Sequence, residues 1–168
     1  MTPLPAGPRR RVFPSASDAA TEQLGADFGA ALQPLRGRAL RAWLAGDLGA
    51  GKTTFVRGLL RHLGVTAAVR SPTYSLIEHY GLGPIELVHG DLYRLDGPDG
   101  LVALGLDEFD RAGAVWLIEW PERGGAALPP PDLQLSFTVG IEGHHRVEVA
   151  AHSEAGAQWL ARVADPMA

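Results

Sequence analysis

Gly46-Asp47-Leu48-Gly49-Ala50-Gly51-Lys52-Thr53 stands between a strand-like segment at 40–45 and a segment in which Phe55, Leu59, Leu60 and Leu63 recur at helical spacing. Strand, glycine-rich turn and helix in that order form the context of a phosphate-cradling loop, and few folds accommodate it. Lys52 is the only lysine in the 168 residues, and every other strongly basic side chain is arginine. The position therefore calls for a compact ammonium on a flexible stem and not for a planar fork.

Each residue of the loop has a physical role. Its glycines let successive N–H groups turn inward and form an anion nest, which the start of the following helix reinforces with its dipole. Leu48, Gly49, Ala50, Gly51, Lys52, Thr53 and Thr54 are the expected phosphate-binding residues. Lys52 reaches the outer phosphates, and the Thr53 hydroxyl is placed to hold Mg²⁺. Gly64 is placed to end the helix.

The remaining composition narrows the function. A chain of this length forms one domain by default and buries roughly 70% of its unfolded surface. The net charge of -4 carries no basic footprint for wrapping nucleic acid, so any RNA is expected to be held through partners. There is no cysteine, hence no disulfide and no thiolate metal site. No stretch approaches the ~18 apolar residues of a membrane span, and the cytoplasm is the expected location. Residues 1–14, with their prolines and arginines, are expected to form a flexible tail ahead of a single domain at 15–168.

Ser17 caps an expected helix whose apolar face is Ala20, Leu24, Phe28, Ala31 and Leu32. Residues 74–80 and 85–89 have strand character, whereas 97–105 is ambiguous between a short helix and a loop. The apolar run 114–118 stops at Glu119, the pattern of a strand buried on both faces. Pro129-Pro130-Pro131 is a stiff connector to a hairpin of 133–139 and 146–150. Ser153 then caps a last helix with Ala157, Leu160 and Ala161 inward. The expected fold class is α/β: a P-loop NTPase-type three-layer sandwich with a mainly parallel central sheet and an antiparallel C-terminal hairpin.

In open α/β sheets the ligand lies beyond the carboxyl ends of the strands, where Glu119 sits. Its expected role is the second protein anchor of Mg²⁺, across from Thr53. Asp91 follows another strand, and three readings remain open: support of a metal-bound water, orientation of an attacking water, or a turn aspartate paired with Arg94. Ser71-Pro72-Thr73 is either a proline turn or a phosphate-sensing switch. Trp43 and Trp116 are explained by packing within strands, and Trp120 adjoins Glu119.

Four motifs follow in order: the loop ending Lys52-Thr53-Thr54, then Ser71-Pro72-Thr73-Tyr74, His89-Gly90-Asp91-Leu92-Tyr93-Arg94-Leu95, and Ile118-Glu119-Trp120-Pro121-Glu122-Arg123. Together they closely resemble the TsaE family over roughly residues 15 to 163. The resemblance implies a small ATPase needed for threonylcarbamoyladenosine formation beside the tRNA anticodon, working with TsaB and TsaD on ATP with Mg²⁺. It implies catalytic roles for Lys52, Asp91 and Glu119, metal binding by Thr53 and Glu119, an active-site place for Trp120, and a switch at Ser71, Pro72 and Thr73. Asp18 and Arg146 match positions near the base. Gly90 stands where the family carries an aromatic residue, which leaves Asp91 less firmly aimed.

A GTPase is disfavoured, since the chain has no asparagine for an Asn-Lys-x-Asp guanine reader. The rival readings are a small-molecule kinase and a nucleotide-sensing module without turnover. No arginine is evident in the sequence as a finger, so turnover by the isolated protein is expected to be slow.

Overall fold

A computed structural model describes residues 7–72, 74–143 and 145–166. Seven strands form one sheet: β1 (Arg10–Pro14), β2 (Leu40–Gly46), β3 (Ile77–Leu82), β4 (Ile85–Asp91), β5 (Ala114–Glu119), β6 (Leu133–Thr138) and β7 (Arg146–Ala151). Their order is β1-β7-β6-β2-β5-β4-β3. The inner strands β6, β2, β5 and β4 run parallel, and both flanks are antiparallel. The architecture is mixed α/β with a mostly parallel core. Among the described residues there are four α-helices: α1 (Asp18–Ala30), α2 (Lys52–His62), α3 (Pro98–Ala103) and α4 (Glu154–Arg162).

Local chemistry sets the helix boundaries. Ser17 Oγ accepts from Ala20 N at 3.1 Å and opens α1, and Ser153 Oγ accepts from Gly156 N at 3.0 Å and opens α4. Helix α3 starts on Pro98, whose fixed φ suits a first helical position and whose missing N–H costs nothing there. This resolves the ambiguous 97–105 segment.

Helices α1, α2 and α4 cover one face of the sheet. There Phe28 meets Phe13, Phe55 and Trp159 edge-on, with centroids 5.3 to 5.9 Å apart. The other face carries Trp43, Val88, Trp116 and Ile118 under Leu92, Leu95, Leu101 and Leu106. All six residues of β5 are buried, as expected for a strand covered on both sides.

Several expectations change. Residues 10–14 are not tail: they form β1, whose register with β7 places Phe13 in the core at 1% exposure. Residues 1–6 lie outside the described residues. The strand expected at 74–80 begins later, at Ile77, because Leu76 turns with a positive φ of 63° and donates its N–H to Pro72 O. The C-terminal hairpin of β6 and β7 is present, and β1 adds a further antiparallel strand beside β7. In α4, Ala157 and Leu160 face inward as expected. Ala161 is exposed, and Trp159 and Val163 are buried instead.

Helices α1 and α2 approach so closely that a Cβ at Gly58 would stand 1.9 Å from Glu22 O. Gly58→Ala should therefore force the helices apart and cost about 1–3 kcal/mol. Thermal denaturation checks this, and an unchanged midpoint would refute the close approach.

Candidate functional site

The carboxyl ends of β2, β4 and β5 lie side by side at the start of α2. In the parallel register Asp91 faces Glu119, and Glu119 faces Leu44 of β2. Backbone pairing alone thus brings two acids together beside the loop that follows β2. The resulting cavity has a volume of about 470 Å³ and is lined by Asp18, Leu48, Gly49, Gly51, Lys52, Thr53, Thr54, Ser71, Asp91, Glu119 and Trp120, joined by Tyr93 and Arg94.

The loop adopts backbone conformations that its sequence suggested. Gly51 has φ 107°, a left-handed value that L side chains rarely adopt, and it immediately precedes the first turn of α2. Lys52 Nζ donates to Gly46 O and, at 2.8 Å, to Asp47 O. It also lies 4.4 Å from the centroid of the Trp120 ring. Burial pushes the ammonium below the ordinary lysine range, opposed by the nearby charges of Glu119, Asp91, Glu122 and Asp47.

Thr53 Oγ1 is 3.1 Å from each oxygen of Glu119, which is only 3% exposed. Glu119 Oε2 is in turn 2.6 Å from His89 Nε2. Asp91 is held by the Ser71 hydroxyl and by Tyr93 N at 3.0 Å. It is therefore firmly aimed despite Gly90, and it does not pair with Arg94, whose guanidinium lies over the Tyr74 ring at 4.7 Å. Trp120 has a left-handed backbone, φ 57°, fixed by its N–H to Leu44 O at 3.2 Å. Its ring meets Tyr93 at 4.9 Å.

Not every expected residue reaches the cavity. Ala50 is buried beneath the loop and lines a smaller adjoining cleft with Asp18 and His145. Pro72 contributes its carbonyl to the Leu76 turn and no cavity surface, and Thr73 lies outside the described residues. Arg146 does not line the cavity: it is exposed at the start of β7, 4.0 Å from Glu148. Conversely, Tyr93 and Arg94 line the cavity and the buried His89 contacts Glu119 behind it, although the sequence pointed to no site role for them. Arg94 lines the cavity with its guanidinium over the Tyr74 ring. All three fall in the motif around Asp91, and two-residue spacing puts His89 on the same strand face as Asp91.

The donor set fits a divalent cation only in part. Among the described residues no three His, Cys, Asp or Glu side chains are grouped to hold a metal. Thr53 and Glu119 are two hard oxygen donors, the number Mg²⁺ takes from a protein when phosphate oxygens and water complete its shell. The residues present therefore fit Mg²⁺ bound together with a phosphate ligand.

The model of the family described as "Threonylcarbamoyl adenosine biosynthesis protein TsaE" matches residues 15–147. The chain belongs to the TsaE family. The tRNA threonylcarbamoyladenosine biosynthesis protein TsaE of Haemophilus influenzae is 37% identical over 119 residues, 71% of this chain and 75% of that one. The TsaE of Bacillus subtilis is 45% identical over 92 residues, 55% of this chain and 57% of that one. The crystal structure of Bacillus subtilis YdiB superposes with a TM-score of 0.73 at 29% identity, covering 90% of this chain and 91% of that one. Among the described residues no helix is long and apolar enough to cross a membrane.

Proposed function

We propose that this TsaE family member is a Mg²⁺-dependent ATPase that hydrolyses ATP to reset a TsaB–TsaD complex during threonylcarbamoyladenosine formation in tRNA. The observation that carries the reading is the convergence of Lys52, Thr53, Asp91 and Glu119 on one cavity. The glycine turn and the start of α2 supply N–H donors for the phosphates, and Lys52 adds the compact charge. Magnesium, when bound, would supply Lewis-acid stabilisation of phosphate charge, with Thr53 and Glu119 as its protein ligands. Asp91 orients the attacking water, and Ser71 couples it to the switch segment at 71–73. The fold in this reading is a P-loop NTPase-type three-layer sandwich, α1, α2 and α4 on one face and α3 with its loops on the other.

The threonylcarbamoyl group is not transferred by this chain, and tRNA is reached only through the partners, in the cytoplasm. The activity of the isolated protein should be low if a partner completes the site, since a positioned arginine is worth roughly 10³ to 10⁵ in rate. The test is phosphate release with and without TsaB and TsaD, measured beside modified-tRNA yield. Stimulation by the partners with a matching yield supports the proposal. Phosphate transfer to a metabolite would assign a kinase instead, and intact ATP in the full mixture would assign a nucleotide-sensing module.

A further inference from the structure

His89 is fully buried, yet one of its ring nitrogens has no hydrogen-bond partner among the described residues. An apolar side chain would avoid that penalty. Its strand neighbours Leu87 and Val88 and the register partner Leu117 are apolar and equally buried. The polar atom that does have a partner is Nε2, 2.6 Å from Glu119 Oε2. A carboxylate only accepts, so the hydrogen in that contact belongs to Nε2. Nδ1 is the nitrogen left without a partner.

The second contact to Glu119 is of a different kind. Thr53 Oγ1 lies 3.1 Å from both carboxylate oxygens, but it has a single hydrogen and can serve one of them at a time. The hydroxyl contact can exchange, whereas the ring contact sits in the packed interior.

We propose that His89 is the positioning residue of Glu119. Its Nε2–H pins Oε2 and so fixes the orientation of the carboxylate beside Thr53 and the cavity, where a divalent cation would need it. The inference rests on the reading of Glu119 as a Mg²⁺ ligand, and its test separates the two. In the full-length protein labelled with ¹⁵N-histidine, long-range ¹H–¹⁵N spectra should show the His89 proton on Nε2, with the signal identified by its loss in His89→Gln. A bare Nε2 in the wild type overturns the proposal.

The second measurement is ATP affinity by calorimetry, in Mg²⁺ and in EDTA. His89→Gln places an amide nitrogen where Nε2 stands, and His89→Asn places one near Nδ1, too short to reach Glu119. The gain from Mg²⁺ should survive within about threefold in His89→Gln and fall about tenfold or more in His89→Asn, with affinity in EDTA unchanged. A retained gain in His89→Asn, or equal losses in both, overturns the proposal. Should His89→Asn fail to fold, the tautomer of the wild type decides. A wild type that gains nothing from Mg²⁺ removes the role assigned to Glu119, while the tautomer still reports whether the contact exists.

Discussion

Lys52→Ala should lower partner-stimulated ATP turnover by about 10²–10³-fold, the usual loss when one preorganised donor to a phosphate is removed. The size follows from the absence of a substitute, because Lys52 is the only lysine in the chain. Its ammonium sits between two loop carbonyls and the Trp120 face, a space that suits a compact head and not a guanidinium fork. Lys52→Arg should consequently fail to rescue. Glu119→Ala should be as damaging by a separate route, removing the carboxylate that faces Thr53. Phosphate release with TsaB and TsaD, and mass spectrometry of the modified nucleoside in cells carrying only the variant, provide the checks. Wild-type levels of both in either variant would end the proposed mechanism.

The largest effect on stability is expected far from the cavity. Asp132 is 1% exposed and receives two bonds from Arg38, at 2.7 and 2.9 Å, with further bonds from Arg41 N at 2.8 Å and Ser153 Oγ at 2.5 Å. One carboxylate thereby ties the entry to β2, the start of β6 and the cap of α4 together. Arg38→Met leaves that carboxylate buried with its charge uncompensated. The expected cost is about 3 kcal/mol, the lower end for breaking a buried pair because the guanidinium is partly solvated. That corresponds to roughly 6–12 °C in melting temperature.

Burial pushes the Asp132 pKa up, but the bonds from Arg38, Ser153 and Arg41 outweigh it and leave the carboxyl below its usual range. The unfolded chain therefore binds this proton more readily than the folded one. Stability from the pair is fully present well above the unfolded pKa of about 3.9 and is lost as pH falls through the lower folded value. Melting temperatures of wild type and Arg38→Met should converge below about pH 4. A constant difference down to pH 2 would contradict the assignment.

The central part of the fold was legible because its signals are local. Serine caps, the glycine turn before Lys52 and the unbroken apolar run ending at Glu119 each declare themselves within a few residues. Strand β1 did not, because Val12 and Phe13 acquire meaning only through Val147 and Glu148, which lie at the far end of the chain. The same limit hid the His89 contact: which acid the ring meets depends on the parallel register of β4 with β5. Arg94 was seen only as a possible partner of Asp91, since the Ser71 hydroxyl that occupies that acid arrives from another loop. Ala161 was misplaced because Trp159 turns inward to donate its indole N–H to Phe28 O, rotating the inner face of α4.

The pairing of β1 with β7 also has a bearing on how the protein is made. Arg10 faces Ala150, and the Arg11 guanidinium binds the carbonyls of Leu160 and Val163 at 2.8 Å. Synthesis makes β1 before β7, so its partner strand is still untranslated when the glycine loop ahead of α2 is complete. The parallel centre can begin to assemble from the residues already synthesised, while the leading arm waits in solvent. Strand β1 thus cannot take its place in the sheet until β7 has been made.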